Sequence, residues 1–267
     1  MVAKMPDCAK LALRILCVLA IAPLAACGGS SLRNLPSSSE QSVRQIAPGD
    51  IGASLRFARA TRDAGDLSAA IGLYRNIVAE RSAGPEVRVE FGDVLLAAGM
   101  ADDAIDAYSQ AMSGAARMGA LLGLTKSYLA LGEPAKALEY ADQALAAAPH
   151  DERVLVDRGV ALDSLGRHAD AQASYRAVLA VVPRHVSARN DLALSLAVTG
   201  QYDEAIALLT PLTRSSSATP RIRENLALIY GLKGDPDRAA MLSRSDLDDG
   251  SIRANLEFMA AVRGGGS

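Results

Sequence analysis

The chain has 267 residues, half of them hydrophobic, a formal net charge of −2, no Trp and three Phe. A near-neutral charge and so few rings exclude a basic, base-stacking surface for nucleic acid. All three cysteines fall within the first 27 residues, which excludes a disulfide framework for the rest and leaves an apolar core to hold it.

Lys4, Lys10 and Arg14 open the chain, and the uncharged run ILCVLAIAPLAA (15–26) follows. That run is short of the about 20 residues a membrane-spanning helix needs. A basic start, a short apolar middle and small residues before a cut describe a secretory signal over 1–26. Leu24-Ala25-Ala26-Cys27 resembles the bacterial lipobox. The resemblance implies lipidation of Cys27, cleavage before it and, with Gly28 rather than Asp next, sorting to the outer membrane. A thiol is a good nucleophile for lipid transfer, and several acyl chains anchor far more firmly than one. Residues 27–50 then read as the lipidated cysteine and a Ser/Gly/Pro-rich tether, with a mean reach of about 25 Å.

From residue 51 the chain repeats. Gly65, Gly99, Gly132, Gly166, Gly200 and Gly234 are spaced 34, 33, 34, 34 and 34 apart. Five residues after each stands an alanine: Ala70, Ala104, Ala137, Ala171, Ala205 and Ala239. Seven residues before each stands a small residue: Ala58, Gly92, Thr125, Gly159, Ala193 and Ala227. Nine after come Tyr74, Tyr108, Ala141, Tyr175, Leu209 and Ser243. The glycine suits a left-handed helix end, and the small residues let two helix axes approach. The tyrosines fill wider gaps, and Pro149 and Pro183 stop second helices. Pro134 and Pro236 belong in the first turn of a second helix.

This period resembles the tetratricopeptide repeat (TPR), a helix–turn–helix of 34 residues. It predicts an all-α superhelical solenoid of about six repeats: 51–84, 85–117, 118–151, 152–185, 186–219 and 220–250. SIRANLEFMAAVR (251–263) predicts a capping helix over the open end, and 264–267 a frayed tail. Pro211 falls inside a second helix and predicts that this helix is short or bent.

No catalytic, metal-binding or cofactor-binding constellation stands out. There is no His-Glu-x-x-His pattern, no phosphate loop, and no histidine at a recognisable spacing from Ser164, Ser174 or the serines at 215–217. Asp102–Asp103 and Asp248–Asp249 read as helix starts and solvated turns. The chain therefore reads as a binding protein and not an enzyme, without cofactor, metal or small-molecule substrate. In a repeat of this kind the first helices line the contact surface. In the first half that surface takes in Glu86, Val89, Asp93, Leu122 and Lys126. In the second half it takes in Arg153, Val156 and Val160, then Asn190 and Leu194, then Arg221, Glu224, Asn225 and Leu228.

Residues 188–263 are also similar to the TadD-type lipoproteins of tight-adherence (Flp) pilus assembly. The likeness is carried by RIRENLALIYGLKGD, by AIALLTPL with its proline, and by SDL and ANLEF further on. Asn190, Arg223, Asn225, Leu226, Asp246, Leu247, Asn255 and Leu256 are the matching residues. The resemblance implies an outer-membrane lipoprotein on the periplasmic side whose partner is a pilus secretin or another assembly component. The alternative is another outer-membrane TPR lipoprotein, serving β-barrel assembly, a different pilus or cell-wall synthesis.

Overall fold

The computed structural model describes residues 50–80, 83–216 and 218–264. The expected signal, Cys27, nearly all of the tether and residues 265–267 lie outside the described residues. The described residues form thirteen α-helices and fall into two compact units, one ending at Ala147 and the other beginning at Ala148.

The first unit holds α1 (Ile51–Asp63), α2 (Leu67–Ala79), α3 (Pro85–Ala97), α4 (Ala101–Ser109), α5 (Arg117–Ala130) and α6 (Pro134–Ala147). The second holds α7 (Glu152–Ser164), α8 (His168–Val181), α9 (Val186–Val198), α10 (Tyr202–Thr213), α11 (Pro220–Lys233), α12 (Pro236–Ser243) and α13 (Asp249–Gly264). Within each unit, helices pair as hairpins and each second helix also packs on the first helix of the next hairpin. The expected all-α repeat architecture is what the chain adopts.

The hairpin turns are uniform because their chemistry is. All six repeat glycines have a positive φ, from 71° to 98°. In each turn the residue after the glycine donates its N–H to a carbonyl five residues back, from Asp66 to Thr61 (3.2 Å) through Asp235 to Tyr230 (2.9 Å). This bond closes the helix end and satisfies a carbonyl that would otherwise face solvent unpaired. New helices start on Asp50, Asp66, Asp151, His185, Thr219 and Asp235, each accepting a backbone N–H in the first turn. Pro85, Pro134, Pro220 and Pro236 each occupy the first helical position, where no N–H is missed.

Every small or aromatic position singled out by the repeat is buried. The rings sit where glycines leave room. A Cβ at Gly92 would lie 2.6 Å from the Tyr108 ring, and one at Gly123 on the next first helix 2.2 Å from the same ring. Tyr108 is thus clamped between α3 and α5. Gly159 meets the Tyr175 ring in the same way, at 2.4 Å. At the C-terminal end, Met259 of α13 enters the notch left by Gly231, its sulfur 1.9 Å from where a Cβ would stand. With Ile252 it buries the apolar stripe of α13 against α11 and α12.

Two irregularities have local causes. The single 33-residue spacing falls where α4 stops early at Ser109 and a tight turn at Gly114–Ala116 leads straight into α5. Pro211 lies within α10, which continues through it and ends at Thr213; with 12 residues this helix is longer than α4, with 9, and α12, with 8, so the proline does not set it apart as short. Proline offers no N–H to the carbonyl four residues back. Hydroxyls serve the neighbouring carbonyls: Thr210 donates to Ile206 O (2.7 Å), Thr213 to Thr210 O (2.9 Å) and Ser215 to Leu212 O (2.9 Å).

Substituting Gly159→Ala should destabilise the fold by about 1–3 kcal/mol, because the Tyr175 ring has no room to retreat. Gly72→Ala, on the exposed side of α2 with nothing within 4 Å of a Cβ, should stabilise it by about 0.5–1 kcal/mol. Urea unfolding of the two variants checks both signs.

Candidate protein-binding face

The first helices of the second unit, α7, α9 and α11, share one face. Side-chain bonds tie them together there. Ser195 Oγ on α9 donates to Asp163 Oδ1 on α7 at 2.7 Å, and Asn225 Nδ2 on α11 donates to Asn190 Oδ1 on α9 at 2.7 Å.

Asp163 is the centre of this arrangement. It also accepts from the Tyr175 hydroxyl on α8 (3.1 Å), and His168 Nδ1 lies 2.8 Å from Oδ1. Burial, with Asp163's charge beside it, pushes the Tyr175 hydroxyl well above the ordinary tyrosine range. Serine and histidine both approach the same carboxylate. In a serine-based nucleophilic site the histidine stands between serine and carboxylate, so the order here is different and suits positioning. The remaining candidates for chemistry are committed locally. Ser164 and Ser174 bond carbonyls within their own helices, and Asp248 caps α13 by accepting from Gly250 N (2.8 Å) and Ser251 N (3.0 Å).

Next to Asn190 lies Asp191, whose Oδ1 accepts from the Asn190 amide at 3.0 Å. Burial raises the Asp191 carboxyl to about 6, and repulsion from Asp163 adds to the rise. The Asn190 hydrogen bond, Arg221 and His185 pull the other way and do not outweigh it. Glu224 is also raised, by burial first and then by Asp246. Ser243 donates to its Oε2 at 3.2 Å, while its buried Oε1 has no hydrogen-bond partner among the described residues.

The sequence-predicted residues divide by what they do here. Val156, Val160, Leu194 and Leu228 are half-buried, leaving apolar surface on the shared face. Val160, Leu194 and Leu228 occupy one repeat register, 34 residues apart. Asn190 is buried and hydrogen-bonded to the half-buried Asn225. Arg153 is exposed but turned to Asp151 (2.7 Å), and Arg221 is exposed at the start of α11. In the first unit the same register holds Arg59, Asp93 and Lys126. There Arg59 bonds Glu90 through two nitrogens, Tyr74 donates to Glu90 (3.0 Å), and Tyr108 donates to Asp93 (2.8 Å). Burial and the Glu90 bond push Tyr74 up to about 12, while Arg59 holds Glu90 low. Glu86 and Lys126 are exposed, Val89 is half-buried, and Leu122 is buried in the packing. Reading the repeat left out Asp163, Asp191 and Ser195. Asp163 stands three residues after Val160 and Asp191 beside Asn190, so the helical period carried a signal for both.

A chain of stacked helical hairpins with part-exposed apolar residues on one face of its first helices is a helical-repeat protein of the interaction-scaffold class. The tetratricopeptide repeat profile matches residues 55–120, 122–171, 156–210 and 190–245. The chain belongs to the tetratricopeptide repeat family. It is 36% identical over 85 residues to the uncharacterised protein y4yS of Sinorhizobium fredii, a match spanning 32% of this chain. The chain spans about half, 47%, of that relative's length. Among solved structures it resembles the Cut9–Hcn1 hetero-tetramer of the APC/C, with a TM-score of 0.68 and 19% identity over 85% of this chain and 44% of that one. It also resembles YrrB, described as a TPR protein with an unusual peptide-binding site, with a TM-score of 0.51 and 16% identity over 72% of this chain and 97% of that one.

The raised Asp191 carboxyl carries a pH signature. Between the ordinary aspartate value and about 6, the folded chain holds a proton that the unfolded chain has lost. Stability therefore falls as pH rises through that window and levels off above it. Asp191→Asn removes the buried charge and keeps the acceptor for Asn190. Relative to the parent, this variant should gain roughly 2–3 kcal/mol between pH 4 and pH 7.5, read from denaturant midpoints at the two pH values.

Proposed function

We propose that this protein is an outer-membrane lipoprotein adaptor that supports assembly of a tight-adherence (Flp) pilus, holding a secretin subunit or another assembly component on its first-helix face. The observation that carries the reading is the apolar register Val160, Leu194 and Leu228, left part-exposed on α7, α9 and α11. Fully burying a residue of this kind contributes roughly 1.5–3 kcal/mol, so an incoming protein segment has free energy to gain there. A peptide-binding site on the related fold of YrrB agrees with that use.

The lipobox supports anchorage through Cys27, and the Ser/Gly/Pro-rich stretch after it supports reach from the membrane surface. The likeness of residues 188–263 to TadD-type proteins supports the pilus role. Its matching polar residues pair with one another: Asn190 with Asn225 (2.7 Å), and Arg223 with Asp246 through two bonds of 2.6 and 2.5 Å. These pairs set the geometry of α9, α11 and the turn before α13, and leave direct contact to the apolar register. The adaptor acts by binding and placement, without bond-making chemistry.

In gently crosslinked outer membranes of the host, the protein should fractionate with the outer membrane and carry a secretin as its dominant partner. Cys27→Ser should move it to the soluble periplasmic fraction. Barrel-assembly or wall-synthesis proteins in place of the secretin would overturn the pilus role. A membrane-held, signal-processed Cys27→Ser variant would overturn the anchor.

A further inference from the structure

The last described helix, α13, is docked by few side chains. Only Ile252 and Met259 are buried in it; Ser251, Leu256, Phe258 and Val262 are half-buried and the rest are exposed. It packs on α11 and α12 alone. A helix covered on one side, at the end of a repeat stack, opens before the repeats inside it. Met259 fits tightly where it lies. Its sulfur occupies the notch at Gly231 on α11, with Cγ 3.0 Å and Cβ 3.2 Å from where a Cβ of that glycine would stand. Arg263, four residues on, lays its guanidinium beside Gly234 at the negative end of α11. A thioether suits the notch because it is unbranched, polarisable and apolar. A sulfoxide adds an oxygen and a strong dipole. Gly231 lies inside α11, where the backbone N–H groups are spent on the helix, so that oxygen would be buried without a donor.

We infer that Met259 is an oxidation-sensitive latch, which holds α13 on α11 as a thioether and releases it as a sulfoxide. Hydrogen peroxide transfers one oxygen atom to Sδ as its O–O bond breaks. The sulfur loses two electrons, and the rest of the peroxide leaves as water. The transfer takes place while α13 is open, and the new oxygen then keeps it from closing. Met241 on α12 is 62% exposed, so its oxidation changes no packing. Release of α13 strips one side of α11, the helix that carries Leu228. It thereby loosens the last member of the shared apolar register, while α7 and α9 stay tied through Asp163 and Ser195. Reduction of the sulfoxide restores the thioether and the docked helix.

The full mature chain carrying Cys27→Ser, to keep it in solution, is treated with hydrogen peroxide to test this. Peptide mass spectrometry reads each methionine, and hydrogen exchange reads amide protection along the chain. Met241 should be oxidised first and Met259 after it. Met100, Met112 and Met118 lie in the first unit, so their oxidation is read apart from α13. Chains with the Met259 sulfoxide should lose about tenfold or more in protection over residues 252–262, as for a buried side chain leaving its site. Protection over α7–α10 should not change. Methionine sulfoxide reductases A and B together should restore α13. Met259→Leu, close to methionine in volume, should keep α13 protected through the same treatment. A thioether still present at Met259 once Met241 is fully oxidised would overturn the latch. So would a Met259 sulfoxide with α13 still protected, or the same loss in Met259→Leu. Loss of protection across the whole second unit, or loss that persists after reduction, would show general unfolding and overturn it as well.

Discussion

The structure depends on a ring taking the space of an absent side chain. Tyr108 fills the gap over Gly92 and Gly123, and Tyr175 the gap over Gly159, so that helices meet at a distance only glycine permits. A buried tyrosine brings a large apolar area to the core together with a hydroxyl that must find a partner. Both rings solve this alike, reaching a carboxylate on the first helix of their own hairpin: Asp93 for Tyr108, Asp163 for Tyr175. Core packing thereby fixes where acidic groups stand on the interaction face.

From that shared plan the two units diverge. The first sets Arg59 against Glu90, and a half-exposed pair of that kind contributes modestly to stability. The second keeps apolar residues in the same register and leaves carboxyls partly desolvated, with Asp191 held near 6 and Glu224 raised. A cost of this sort on a surface away from the core is where a repeat protein departs from the pattern best for folding alone. The departure coincides with the stripe of Val160, Leu194 and Leu228, where binding would repay it.

Reading by likeness and reading by geometry meet on Asn190, Asn225, Arg223 and Asp246. As sequence, these are among the residues on which the proposed likeness to the pilus-assembly lipoproteins rests. As structure, they are two hydrogen-bonded pairs that lock α9 to α11 and α11 to the turn before the capping helix. A likeness carried by positioning residues describes the shape of a face more directly than the identity of what lands on it.

The sequence by itself determined the repeat, because the repeat is made of local and steric requirements. A positive φ at Gly65 and its five counterparts, a small residue where two axes cross and a proline in a first turn each need only a few neighbouring residues to be recognised. The half-exposed stripe was legible for the same reason, since a helical register follows from counting. Only the tertiary structure decided that Asp163 gathers Tyr175, Ser195 and His168, that Asn190 and Asn225 join, and that Asp191 is desolvated. The Ser195 and Asn225 bonds cross 32 and 35 residues of chain, from one first helix to the next. Hydrogen-bond partners and pKa values depend on ångström-scale distances between helices, and the packing of whole hairpins sets those distances.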